Sequence, residues 1–329
     1  MELLTASVGS YPRIGDAPEQ QKHRQAYARW ERGEISNEEF EQVQDEVTQE
    51  VIEEQVRAGL DLVTDGQVRW YDPISHFARG LEGCEVGGLL RFFDTNFYFR
   101  QPVIRARVSW TGPIVLREFT FAKGVSRPPL KPVVTGPYTL AKLSIDRHYG
   151  DLGSLVTDFA RAIGQEISEL VKAGAEIVQV DEPAILQNPQ DFELFRGAIE
   201  ELSKHKQGAK LALYTYFGDA APLYRKFHFK LPVDVLGFDF TYSPQLSNVI
   251  ARFGCEKELG LGLIDGRNTK LEDAQEVLAT LKKILPTVGS QRVYLSPSCG
   301  LGEYLPREIA FKKLQNLVAI AKKAKEVFR

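Results

Sequence analysis

Short apolar runs alternate with longer amphipathic stretches along nearly the whole chain. The runs are Leu3–Ser10, Leu60–Asp65, Pro132–Gly136, Glu176–Glu182, Lys210–Phe217, Val233–Phe240, Leu259–Asp265 and Arg292–Cys299. Unbroken apolar runs of this length are what parallel strands covered on both faces require. Between them the apolar spacing switches to three and four. Leu152, Val156, Phe159, Ile163, Ile167 and Leu170 form one such stripe,. Ser36 and Glu39 form a capping box ahead of Phe40, Val43, Val47 and Val51; Thr269 and Glu272 repeat the pattern ahead of Ala274, Val277, Leu278 and Leu281,. Pro306 suits the first turn of a last helix with Ala310, Leu314, Leu317, Val318 and Ala321 inside,. Eight such β-then-α units predict the α/β class and a (β/α)8 TIM barrel, one domain over residues 1–329.

Two stretches interrupt the alternation. Residues 11–35 are a charged excursion after the first strand. Residues 84–128 carry Phe92, Phe93, Phe97, Tyr98, Phe99 and a β-type Val103–Trp110 segment, and read as an inserted β-hairpin or lid on the mouth side,. An oligomer-contact flap is the alternative.

Composition adds exclusions. At 43% hydrophobic and 26% charged, the chain is an ordinary globular protein,. A net charge of −3 gives no reason to expect nucleic acid or an anionic membrane surface as partner,. No apolar run approaches the roughly 20 residues of a membrane helix. No basic, signal-like segment precedes the first strand, and three scattered cysteines make no disulfide framework, so a cytoplasmic location is expected,.

Candidate chemistry gathers at the strand ends, which in a barrel converge on one mouth. Asp181 and Glu182 can bind an ammonium, act as a base or ligate a metal; a helix cap or ion pair is the plainer role for one of them. Cys299 can be a ligand, a nucleophile or a small packed residue. Tyr214 and Tyr216 share a parity and point the same way, either toward a ligand or into a packed interior. Asp265 and Arg267 offer carboxylate recognition or a loop-positioning pair. Asp239 lies near the end of the sixth run. His23, His76, His148, His205 and His228 fall on helices or loops, so no self-sufficient zinc site is visible,.

Six segments carry a resemblance. They are Val8–Ile14, Gly33–Ser36, Thr135–Leu140, Gln179–Ala184, Ile264–Asn268 and Ser296–Leu301. In that order they resemble the cobalamin-independent methionine synthase family over essentially the whole chain. Full enzymes of that family consist of two related barrels, the C-terminal one holding zinc, homocysteine and folate; this chain is one barrel long. The resemblance implies methyl transfer to homocysteine or a related small thiol, from methyl-folate or methylcobalamin. It implies substrate contact at Ser10 and Asp181, and at the position of Gln67, where the family's acid helps hold homocysteine. The family's zinc-binding His-x-Cys on strand five reads Tyr214-Thr215-Tyr216 here, and Asp239 stands where a Glu is expected. Only Cys299 keeps a family ligand type. That departure opens a second expectation: a zinc-less, non-catalytic counterpart of the N-terminal barrel, pairing with a separate zinc-bearing barrel and gripping folate's tail with Arg13, Lys22 and Arg24. Decarboxylation or cobalamin-linked methyl transfer is the third.

Overall fold

The computed structural model describes residues 1–328. In chain order the strands are β1 (Glu2–Thr5), β2 (Leu81–Arg91), β3 (Tyr98–Trp110), β4 (Val133–Thr135), β5 (Ile145–Asp146), β6 (Ile177–Asp181), β7 (Lys210–Thr215), β8 (Val235–Asp239), β9 (Glu258–Ile264) and β10 (Arg292–Pro297). The α-helices are α1 (Lys22–Glu31), α2 (Asn37–Ala58), α3 (Ser75–Arg79), α4 (Leu116–Val125), α5 (Pro137–Lys142), α6 (Leu152–Lys172), α7 (Phe192–Ser203), α8 (Tyr224–Lys230), α9 (Leu246–Phe253), α10 (Ala274–Ile284) and α11 (Arg307–Val327).

Seven strands make one parallel sheet in the order β1-β10-β9-β8-β7-β6-β4. The second apolar run fills the gap between β1 and β4. Leu62 bridges Ala6 on one side and Val63 bridges Leu130 on the other. Ser7 N–H donates to Leu62 O and Lys131 N–H to Val63 O, each at 3.0 Å. With this stave the ring has eight members, as the alternation predicts. The stave is short because Gly66 and Gln67 turn the chain out in left-handed conformations, φ 71° and 53°,.

Local chemistry explains most helix ends. The Ser36–Glu39 capping box closes as expected, with Ser36 Oγ accepting from Glu39 N–H at 3.1 Å and Glu39 returning the bond at 2.8 Å. The Thr269–Glu272 box does not form. α10 starts later, with Asp273 accepting from Gln275 N–H at 2.6 Å. Glu272 instead takes Asp265 N–H at 3.0 Å and the fully buried Lys313 ammonium at 2.7 Å. A buried cation without a carboxylate is far more costly than an uncapped, exposed helix end. On α6 the stripe of Val156, Phe159, Ile163, Ile167 and Leu170 is buried against the sheet. Each such side chain contributes about 1.5–3 kcal/mol.

The insertion is narrower than residues 84–128. β2 and β3 pair antiparallel from Leu81↔Trp110 to Arg91↔Tyr98, and β5 joins β3 in parallel. Residues 116–125 form α4, because Phe119 and Ala122 recur at a helical interval and bury one face. The hairpin tip folds back on the mouth, where the Phe92 ring meets Phe217 edge-on at 6.1 Å. Among the described residues no helix is long and apolar enough to cross a membrane.

Candidate active site at the strand ends

The barrel interior is plugged from below. Leu4, Ala6, Val8, Leu62, Ile177, Ala212, Tyr214, Val235 and Tyr294 pack into one inner cluster, separate from the larger core under the helices. Tyr214 belongs to this plug. A side chain at Gly237 would sit 2.4 Å from its ring and one at Gly260 2.6 Å from its hydroxyl, so β8 and β9 leave room for it. Its expected contact with substrate is therefore replaced by packing. Above the Tyr214 ring, 4.5 Å from its centre, lies the ammonium of Lys131, fully buried and without a hydrogen-bond partner.

One layer higher, the polar groups converge. Gln179 Nε2 donates to Val8 O and to Asp181 Oδ1, both at 2.7 Å, and Tyr216 OH donates to Asp181 Oδ2 at 3.1 Å. Burial pushes the Asp181 carboxyl up to about 7, against the pull of those two donors and Lys131,. Ser10 Oγ donates to Glu303 Oε2 at 2.5 Å and accepts from Gly302 N–H at 3.2 Å. A side chain at Gly300 would stand 2.2 Å from that hydroxyl.

Ser10, Gln67, Asp181, Tyr216 and Glu303 line an inner cavity of about 30 Å³. It shares Ser10, Gln67, Phe97 and Glu303 with an outer cavity of about 230 Å³ that also reaches Arg13 and Trp70. Gln67 and Phe217, both on the inner wall, hold left-handed backbone at φ 53° and 63°. Non-glycine residues in that region cost of order 1–3 kcal/mol and cluster at binding sites.

Other strand-end residues do not line the inner cavity. Glu182 turns into the N-terminus of α5, accepting from Tyr138 N–H at 2.9 Å, Thr139 N–H at 2.8 Å and Thr139 Oγ1 at 2.6 Å. Asp239 accepts from Thr241 N–H at 2.8 Å and Thr241 Oγ1 at 2.5 Å. Asp265 accepts from Arg267 N–H at 2.9 Å and from the Asn268 amide, which makes it a loop fastener. Arg267 stacks on Tyr242 at 4.0 Å and on Phe217 at 5.6 Å, behind the cavity wall. The Cys299 thiol is buried, and burial together with Asp239 pushes its pKa well up. Of the basic residues after the first strand, Arg13 lines the outer cavity and Lys22 is paired with Glu46 and Glu50. Arg24 lines an open groove that adjoins the outer cavity through Arg13, Trp70 and Phe97.

A zinc ion does not fit these residues. Among the described residues no three His, Cys, Asp or Glu side chains are grouped to hold one. Strand β7 offers the phenol of Tyr214 and the residue just after it that of Tyr216, and Asp239 is already engaged.

Sequence reasoning missed Glu303, Lys131 and Gln179. Each had a signal. Glu303 is an acid in the loop after the eighth run, and Lys131 and Gln179 share the parity of inward residues on their strands,.

The family model for the N-terminal domain of cobalamin-independent synthases matches residues 5–77 and 74–289. The chain belongs to the cobalamin-independent methionine synthase family. Within it, the chain is 35% identical to a methionine synthase of Saccharolobus solfataricus over 98% of this chain and 95% of that protein. It is 34% identical to a methionine synthase of Sulfurisphaera tokodaii, covering 98% of this chain and 93% of the relative. The fold matches that of a B12-independent methionine synthase from Shewanella sp. W3-18-1, solved in complex with selenomethionine. The TM-score is 0.80 at 22% identity, covering 100% of this chain and 99% of that one. As a methionine-synthase-like barrel, the chain thus spans nearly the full length of the curated family members it resembles.

Proposed function

We propose that this methionine-synthase-like barrel binds the amino-acid end of homocysteine, or a related small thiol, at its strand ends and serves methyl transfer to the sulfur. The observation that carries this reading is Asp181, a carboxylate on the inner cavity with only two hydrogen-bond donors. A carboxylate offers about four lone-pair sites, so acceptor capacity remains for a substrate ammonium. Ser10 stands beside it as a donor and acceptor. The selenomethionine in the Shewanella relative is a ligand of this class.

S-methylation forms a sulfur–methyl bond, breaks the donor's bond to methyl and releases the thiol proton. Glu303 is the second carboxylate on the cavity and the group placed to accept that proton. It takes the general-base role in place of Asp239, whose Oδ1 is held by Thr241 and whose Oδ2 accepts from Phe217 N–H at 3.3 Å.

The unfilled zinc pattern favours a second reading, in which the chain works beside a separate zinc-bearing barrel. Calorimetry of L-homocysteine and L-methionine against the wild type and Asp181→Asn tests the binding claim. Equal affinity in the two proteins would reject it. Methyl transfer is then assayed with the chain alone and with a zinc-bearing barrel added; turnover only with the added barrel selects the second reading.

A further inference from the structure

Lys131 has no role in the site as described. Its ammonium is fully buried, has no hydrogen-bond partner and forms no ion pair among the described residues. Groups on several elements face it. β7 contributes the Tyr214 ring; Tyr294 of β10 lies in the same lumen cluster as that ring, and its hydroxyl donates to Glu258 of β9 at 2.9 Å. Glu258 is already neutralised by Lys210 at 2.5 Å. The β1 and second-stave residues in the lumen, Ala6, Val8 and Leu62, carry no charge. β6 contributes Gln179, whose Oε1 is likewise buried and unpartnered, and Asp181. Asp181 is thus the free carboxylate of the lumen, and it is the charge that bears on Lys131 just as Lys131 bears on Asp181.

We propose that Lys131 is the resident counter-cation of Asp181 in the empty barrel, and that a docking substrate ammonium replaces it, Lys131 giving up its proton. This rests on the reading of Asp181 as the ammonium site. The electrostatic reason is simple. Two ammonium groups around one carboxylate leave a net positive charge in a dry lumen, where like charges repel strongly. Loss of one proton relieves it. The buried lysine is the group that yields, because burial already pulls it down to about 7, whereas an amino acid's ammonium reaches the site fully charged. The substrate arrives as R–NH3+, Asp181 stays a carboxylate, Lys131 goes from –NH3+ to –NH2, and the proton leaves to water through the mouth. A ligand without an amine leaves Lys131 charged, so the device selects for amino acids.

The test is heteronuclear NMR of protein labelled with 13Cε,15Nζ-lysine. Lys131→Met identifies the Lys131 signal, and Lys131→Gln serves as a second assignment variant. In the free protein that signal is expected to titrate near neutrality, not near ~10.4 like an ordinary lysine. Saturation with L-methionine at about pH 7 is expected to move it to the neutral-amine position; the des-amino analogue 4-(methylthio)butanoate should leave it unmoved. A signal that stays ammonium when L-methionine is bound, or that titrates with the other lysines, overturns the proposal. Asp181→Asn separates the two claims. If that variant binds L-methionine as well as wild type does, or if wild type does not bind it, the ammonium-site reading fails and the inference with it. If binding needs Asp181 and Lys131 does not respond, the inference alone fails.

Discussion

The Tyr216 hydroxyl reaches across adjacent strands to Asp181 at 3.1 Å, so the second phenol of the Tyr214-Thr215-Tyr216 segment orients the candidate ammonium acceptor. A phenol here holds a carboxylate in place. Tyr216→Phe removes one of its two donors while keeping the ring. A hydrogen bond to a charged group is worth about 1.5–3 kcal/mol, and part of it is lost here. L-methionine affinity is expected to fall roughly tenfold by calorimetry, with melting temperature little changed. Unchanged affinity would remove Tyr216 from the site.

Asp181 and Glu182 are neighbours with opposite expected phenotypes. Asp181→Asn should abolish stabilisation by L-methionine without lowering the melting temperature of the ligand-free protein. Glu182→Gln places an amide against the donors of α5, leaving buried N–H groups unmatched. It should cost about 1–3 kcal/mol, read as a drop in denaturation midpoint. Its affinity for L-methionine should stay within threefold of wild type.

The pH dependence of stability follows from the same pair. Burial raises the folded-state pKa of Asp181 and of Glu182 to about 7. The folded state then holds more protons than the unfolded one between the ordinary carboxyl range, ~4, and about 7. Stability therefore falls as pH rises through that window. Urea unfolding from about pH 4.5 to 7.5 should show the wild type losing stability relative to Asp181→Asn. A constant difference between the two proteins across the window would contradict the assignment.

The thiols should be silent. Burial pushes the Cys84 thiol up to about 12, and raises those of Cys255 and Cys299. At about pH 8 an aromatic disulfide reagent should react slowly with native protein, since the thiolate is the reactive form. All three cysteines should react after denaturation. A fast native thiol at Cys299 would reopen it as a nucleophile or ligand.

Gly237→Ala tests the barrel plug. The new methyl would lie 2.4 Å from the Tyr214 ring, which is closed in on all sides. Overpacking of this kind costs typically about 1–3 kcal/mol. A lower melting temperature is expected, and a neutral result would mean that the plug is loose.

By itself the sequence determined the parts that depend on a few neighbouring residues. Strand and helix periods, the Ser36–Glu39 cap and the strand-end placement of Ser10 and Asp181 are all legible within short windows, because those preferences are local. It also carried the family segments. Tertiary structure decided depth and competition. Tyr214 and Tyr216 share a parity, but two residues along a strand, about 6.6 Å, separate a packed plug from a cavity wall. Glu182 is drawn off by a helix end and Glu272 by the buried Lys313, partners far away in sequence. Glu303 and Lys131 reach the site only when the ring closes. No local rule could rank these residues, since the stakes are burial and charge pairing, and both exist only once the barrel is assembled.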